Sequence, residues 1–342
     1  MPEPRFLAVR LSSMGDIVHT FPAVAGLRES FPNAEIVWLT HLRWESLVRS
    51  SQLATEIWAT ETRSFGSLRA IIRRIRERKF TGAIDYQGLW KSAALPLFGG
   101  VARRIGFSSH TIREFGVPVL YTDRVNCRTV HIASQNGELS QRAGARNGVG
   151  RFAMTVCSAE EAAVTQTLLA HSITQYVVLS PGGGWLSKCW PADRFGLLCQ
   201  KIRDVLGLRC VLNYGPGEER LVATVKAAAG NSEPLAYDGS LIQLMALLRN
   251  AVCIVGGDTG PLHLAIALGT PSVAIFGPTD PSRNGPYRML DPSMSSRKLD
   301  IVLRTRGAVT THKRGERPDP SLLKISVEEV FDAVRQHVEA PR

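Results

Sequence analysis

Three short segments of this 342-residue chain combine small residues with charged ones at spacings suited to proton transfer and phosphate chemistry. In the first, Arg10-Leu-Ser-Ser-Met-Gly-Asp16, an apolar run is followed by Ser12, Ser13 and Gly15. These small residues permit a tight strand-to-helix turn from which Asp16 projects as a proton acceptor. The same carboxylate could instead serve only as a first-turn acid for the following helix, worth about 0.3–1 kcal/mol. The second, Leu179-Ser-Pro-Gly-Gly-Gly184-Trp-Leu-Ser-Lys188, joins a glycine loop containing Gly183 and Gly184 to one lysine, a point charge suited to phosphate. The third, Val255-Gly-Gly-Asp258-Thr259-Gly260-Pro261-Leu-His263, sets glycines before a helix start. Free N–H groups there form a cradle for a diphosphate, although an ordinary strand-to-helix turn uses the same residues. Glu218 and Glu219, after Tyr214-Gly-Pro-Gly217, offer a carboxylate for ribose hydroxyls or else form a solvated first turn.

What is missing narrows the chemistry. The loop after the first strand is not G-x-G-x-x-G, and the loop around Lys188 is not a Walker sequence. No Asp-x-Asp pair occurs, and no His, Cys or carboxylate cluster has metal-ligand spacing, so no metal and no cofactor are expected. Asp258-Thr-Gly260 is also the aspartic-protease tripeptide, but it occurs once and a helix follows it. The six cysteines form no C-x-x-C pair and read as reduced core thiols.

These loops need elements to hold them. Apolar runs at Phe6–Leu11, Glu35–Leu39, Gly82–Asp85, Tyr176–Leu179, Arg209–Asn213, Cys253–Val255 and Ser272–Phe276 alternate with amphipathic segments. That alternation predicts α/β architecture: two Rossmann-like domains whose parallel sheets face a cleft, with ligands at the strand C-termini. The first half ends near Arg146-Asn-Gly-Val-Gly150, whose composition suits a connection. The expected divisions are residues 1–165, 166–325 and a closing helix and tail, 326–342.

The net charge of +11 calls for an acidic partner. No helix-turn-helix, RNP or finger signature points to nucleic acid. Within Ser67–Phe80, Leu68, Ile71, Ile72 and Ile75 mark one helical face and six basic residues fill much of the rest. Such a face is either simply solvated or meets anionic lipid. No apolar run is long enough for a transmembrane helix, and the N-terminus lacks the pattern of a signal peptide, so a cytoplasmic location is expected.

Four blocks in order resemble the bacterial heptosyltransferases of lipopolysaccharide core synthesis, the heptosyltransferase I group most closely. They are Ser12-Ser-Met-Gly-Asp16 with His19-Thr-Phe-Pro22, Ile84-Asp-Tyr-Gln-Gly-Leu-Trp-Lys-Ser-Ala-Ala94, Lys188-Cys-Trp-Pro191, and Asp258-Thr-Gly-Pro-Leu-His263 with Gly277-Pro-Thr-Asp-Pro281. The resemblance implies a GT-B fold with an N-terminal acceptor domain and a C-terminal nucleotide-sugar domain. It also implies inverting, metal-independent transfer of L-glycero-D-manno-heptose from ADP-heptose to a Kdo residue of Kdo-lipid A. On this resemblance Asp16 is the general base and Lys188 neutralises the donor diphosphate. Ser12, Ser13, Gly15, Gly183, Gly184, Asp258, Thr259, Gly260 and His263 belong to donor binding, with Glu218 or Glu219 at the ribose. Arg10, Gln87, Lys91 and Arg113 lie on the acceptor side, Arg10 standing where lysine is expected. A lipid-borne acceptor implies peripheral association with the anionic inner face of the inner membrane. A heptosyltransferase II-like enzyme is the nearest alternative. A non-catalytic nucleotide-sugar-binding protein is a further one, against which Asp16 together with Lys188 argues.

Overall fold

A computed structural model describes residues 3–61, 64–112, 114–288, 299–311 and 313–339. The chain divides into two compact units, Met1–Thr155 and Val156–Arg342. Among the described residues the first holds strands β1 (Arg5–Val9), β2 (Glu35–His41), β3 (Glu56–Thr60), β4 (Gly82–Asp85), β5 (Arg104–Phe107) and β6 (Asp123–Val125). They form one sheet in the order β3-β2-β1-β4-β5-β6, every pair parallel. The second unit holds β7 (Tyr176–Ser180), β8 (Arg209–Asn213), β9 (Leu235–Tyr237), β10 (Cys253–Gly257), β11 (Ser272–Phe276) and β12 (Asp300–Arg304). Their order, β12-β11-β10-β7-β8-β9, is again wholly parallel. Counted within each unit, both sheets have the doubly wound order 3-2-1-4-5-6 of a Rossmann-like domain.

The order follows from burial. β7, β10 and β11 are buried along their whole length, and β1 is buried from Phe6 to Val9, as expected for parallel strands covered by helices on both faces. In the first unit Leu7, Val9, Val37, Leu39 and Trp58 pack with Ile71 and Ile75 of the helix Phe65–Arg78. Burying each isoleucine contributes about 1.5–3 kcal/mol. Ser64 caps this helix by accepting from Ser67 N at 3.3 Å, and Lys79 ends it in the left-handed conformation. In the second unit Val177, Leu179, Val255 and Ile275 meet Phe195, Phe331 and Val334.

Two expected boundaries shift. The Arg146–Gly150 stretch is not a connection, because it packs into the first unit: Gly150 N donates to Pro22 O at 2.8 Å, and a Cβ on Gly26 would lie 2.6 Å from Asn147 O. The units separate at 155/156 rather than 165/166, since the helix Ser158–Ala170 packs on the helix Leu241–Arg249 of the second unit. The closing helix Val327–Glu339 is no separate piece either: Val330, Phe331 and Val334 belong to the second unit's core.

Candidate functional site

In a doubly wound sheet, ligands bind beyond the strand C-termini where the strand order reverses. In the first unit that point lies between β1 and β4, and in the second between β7 and β10. The loops singled out by sequence follow those four strands: residues 10–16 after β1, 86–91 after β4, 181–188 after β7 and 258–263 after β10.

Beyond β1 the short helix Met14–Val18 carries Asp16 in its first turn. Asp16 Oδ2 accepts from Ser13 N at 3.1 Å and Ser13 Oγ at 2.8 Å, while Oδ1 pairs with Arg10 Nη2 at 2.7 Å. The carboxylate thus does act as a helix-start acid, yet 43% of its side chain remains exposed. Burial acts to raise its pKa, but Arg10, the two Ser13 hydrogen bonds and His19 outweigh that and hold the group down at about 2. Arg10 is itself buried, its Nη1 donating to Tyr86 O, and Leu11 N donates to Gln87 Oε1 at 2.6 Å. The β1 and β4 loops are therefore joined through Arg10 and Gln87. Ser13 is engaged by Asp16, and Gly15 is buried within the helix start.

Beneath Gln87 lies a residue that sequence reading did not single out. Asp85, the last residue of β4, accepts from Gln87 N at 2.9 Å, Gly88 N at 3.2 Å, Ser92 Oγ at 2.8 Å and Tyr121 OH at 2.7 Å. Burial pushes its carboxyl up against the pull of these four donors. Asp85 shapes the turn that carries Gln87. Lys91 stands exposed nearby on the helix Trp90–Phe98. Arg113 lies outside the described residues.

In the second unit, Lys188 Nζ pairs with Asp258 Oδ2 at 2.7 Å, and His263 Nε2 meets Asp258 Oδ1 at 3.0 Å. All three side chains are largely buried. Burial alone would raise the Asp258 carboxyl, but His263 and Lys188 hold it well below the usual carboxylate range. Lys188 Nζ also lies 4.3 Å from the centroid of the Trp185 ring. Thr259 precedes the helix Gly260–Ala267, and its Oγ1 is buried with no partner among the described residues, an orphan that a bound ligand would satisfy. Glycine keeps two close approaches open: a Cβ on Gly257 would lie 2.8 Å from the backbone Lys188 O, and one on Gly183 2.9 Å from the side-chain Cys189 Sγ. Gly184 is open to solvent.

The two glutamates separate. Glu218 Oε2 accepts from Gly215 N at 2.8 Å, and its carboxylate lies over Gly182, where a Cβ would come within 2.0 Å of Oε1. Glu218 therefore joins the Gly182–Gly184 loop. Glu219 is exposed and accepts from Gly217 N at 3.1 Å, on its own turn. Gly182 is a second residue that sequence reading passed over, since its role appears only once Glu218 is placed.

Much of the basic helix face is used internally. Arg78 pairs with Glu35 at 2.5 Å, Arg74 pairs with Glu56 and lies 4.1 Å from the Trp58 ring, and Arg76 Nη2 donates to Phe98 O at 2.9 Å. Among the described residues, no group of three or more His, Cys, Asp or Glu side chains is placed to hold a metal ion, and no helix is long and apolar enough to cross a membrane.

Comparison with known proteins finds relatives over most of the chain. The sequence model of glycosyltransferase family 9 (heptosyltransferase) matches residues 68–301. Lipopolysaccharide heptosyltransferase 1 of Pseudomonas aeruginosa is 27% identical over 301 residues, covering 83% of this chain and 81% of that protein. Among solved structures, the glycosyl transferase family 9 protein of Veillonella parvula superposes with a TM-score of 0.83 at 21% identity, covering 99% of this chain and 98% of that one. The Escherichia coli heptosyltransferase WaaC with ADP superposes with a TM-score of 0.75 at 22% identity, covering 97% and 99%. The fold is GT-B, built from two Rossmann-like domains.

Proposed function

The chain belongs to glycosyltransferase family 9, the heptosyltransferases, and from that premise we propose that it transfers L-glycero-D-manno-heptose from ADP-heptose to a Kdo residue of Kdo-lipid A, with inversion and without a metal. The observation that carries this reading is the chemistry found at the two switch points. A partly exposed, fully ionised carboxylate stands at one, and a lysine, a helix N-terminus and an orphaned hydroxyl stand at the other.

Asp16 accepts the proton of the attacking hydroxyl. A carboxylate held at about 2 is a weak base, and it suffices because the hydroxyl becomes strongly acidic only as its oxygen bonds to the sugar carbon. As that bond forms, the sugar–diphosphate bond breaks and its electron pair passes to the leaving oxygen. Lys188 and the N–H groups at Gly260 meet that developing charge and stabilise the transition state more than the ground state. Glu218 holds the ribose hydroxyls, and Gln87 and Lys91 face the acceptor. Arg69, Arg73 and Lys79, which form no close ion pair with the sheet among the described residues, together with the exposed Phe65, dock the protein on the anionic inner face of the inner membrane.

The test is incubation with ADP-heptose and Kdo-lipid A, read by mass spectrometry. One heptose added in the presence of chelator supports the reading. Equal transfer from ADP-mannose, or to an acceptor lacking Kdo, contradicts it.

A further inference from the structure

The basic stretch Lys313–Arg317, far from Lys188 in sequence, is bound to the Lys188 loop. Ser187 N donates to Gly315 O at 3.2 Å, Gly315 N donates to Ser187 Oγ at 3.2 Å, and Asp319 N donates to Ser187 O at 3.3 Å. Gly315 permits the approach, since a Cβ there would lie 3.1 Å from Ser187 Cβ. The result is that the Arg314 guanidinium carbon lies 5.3 Å from the centroid of the Trp185 ring, the same indole on which Lys188 Nζ rests at 4.3 Å.

Charge balance gives this placement a purpose. Asp258 offsets the charge of Lys188, so the buried pair offers a diphosphate the remaining hydrogen-bond donors of Lys188 but little net positive charge. Arg314 is exposed and has no carboxylate partner among the described residues. A guanidinium also presents several donors in a fork that matches phosphate oxygens.

We propose that the strap 313–317 is a second arm of the anion site in this unit, and that Arg314 supplies the uncompensated charge that binds the diphosphate of the nucleotide donor. This rests on the donor reading above and adds to it a specificity residue for the diphosphate. Trp185 contacts both cationic side chains, Lys188 with its carboxylate partner and Arg314 with none among the described residues.

The experiment is calorimetric titration of the full chain with ADP and with AMP, at low and high salt, for wild type, Arg314→Ala, Arg314→Lys and Gly315→Val. Arg314→Ala should weaken ADP about tenfold, the loss of one charge-assisted contact, and leave AMP nearly unchanged. The loss should shrink at high salt. Arg314→Lys should recover part of it, and Gly315→Val, which displaces the strap, should reproduce it. Unchanged ADP affinity in Arg314→Ala overturns the inference while leaving the donor reading intact. Equal weakening of ADP and AMP overturns it too, because the arm would then not read the second phosphate. Failure of the wild type to bind ADP sinks the donor reading and this inference with it.

Discussion

Replacing Lys188 by methionine separates a structural ion pair from a ligand contact. At an effective dielectric near 20, opposite charges 2.7 Å apart attract by about 6 kcal/mol before desolvation is counted. Desolvation of two nearly buried groups offsets most of that, so the pair adds little net stability. Breaking it is another matter, since Asp258 would remain buried and charged, a loss of about 3–5 kcal/mol. His263 still bonds its other oxygen, which places the cost near the lower end. A loss of about 3 kcal/mol in a unit of this size lowers the melting transition by roughly 6–12 °C. ADP affinity should fall about 10- to 100-fold as well, from the lost charge-assisted contact. The double variant Lys188→Met/Asp258→Asn removes the stranded charge. Its melting transition should return most of the way to wild type while ADP affinity stays low. Calorimetric melting and ADP titration on the three proteins decide the matter. A single variant that melts with the wild type would show that Asp258 is not stranded, and a double variant that recovers wild-type ADP affinity would show that Lys188 does not bind the nucleotide.

Four more outcomes follow from the geometry. Arg10→Gln removes the main group holding the Asp16 pKa down, so its protonation should move up from about 2 and the acid limb of kcat/KM should shift to higher pH; an unmoved limb in the pH profile contradicts this. Asp85→Asn replaces an acceptor of four hydrogen bonds by a group that also carries donors, so stability should drop by about 1–3 kcal/mol and kcat should fall with the displaced Gln87 turn, checked by denaturant titration and initial rates. Gly182→Ala and Glu218→Ala should each weaken ADP binding, whereas Glu219→Ala should not; equal losses from the two glutamates would contradict the assignment of Glu218. Vesicle flotation should show binding to anionic but not neutral lipid, reduced by Arg69→Glu with Lys79→Glu; indifference to lipid charge would remove the membrane role.

The parts of the fold legible in the sequence are those dictated by burial. All seven strands read from apolar runs form, and each is an interior strand of its sheet. The five left unread, β3, β5, β6, β9 and β12, lie at the sheet edges or next to them. β5 is only four residues long, and β3, β6, β9 and β12 each keep two or more residues partly exposed, so burial imposes a weaker apolar pattern on them. Glycine misled at 146–150, where it signals close packing of a loop on helices rather than a joint between domains. Asp16, Lys188, Asp258 and His263 were legible because each follows an interior strand at a switch point. Their partners were not: the contact of Glu218 with Gly182, and of Ser187 with Gly315, depend on packing between distant segments. In the basic helix two of the six cationic side chains, Arg74 and Arg78, are matched by Glu56 and Glu35 on neighbouring strands, a pairing between distant segments that the helical pattern does not reveal.

In the proposed mechanism one carboxylate takes the acceptor proton while a separate cationic pocket holds the departing nucleotide. This mechanism is tested most directly by Asp16→Asn, which keeps the shape of the side chain and removes its basicity. Single-turnover heptose transfer from ADP-heptose to Kdo-lipid A should slow by about 10²–10⁴-fold while the Kd for ADP stays at the wild-type value. Transfer at the wild-type rate, or loss of ADP binding in step with loss of rate, would contradict it.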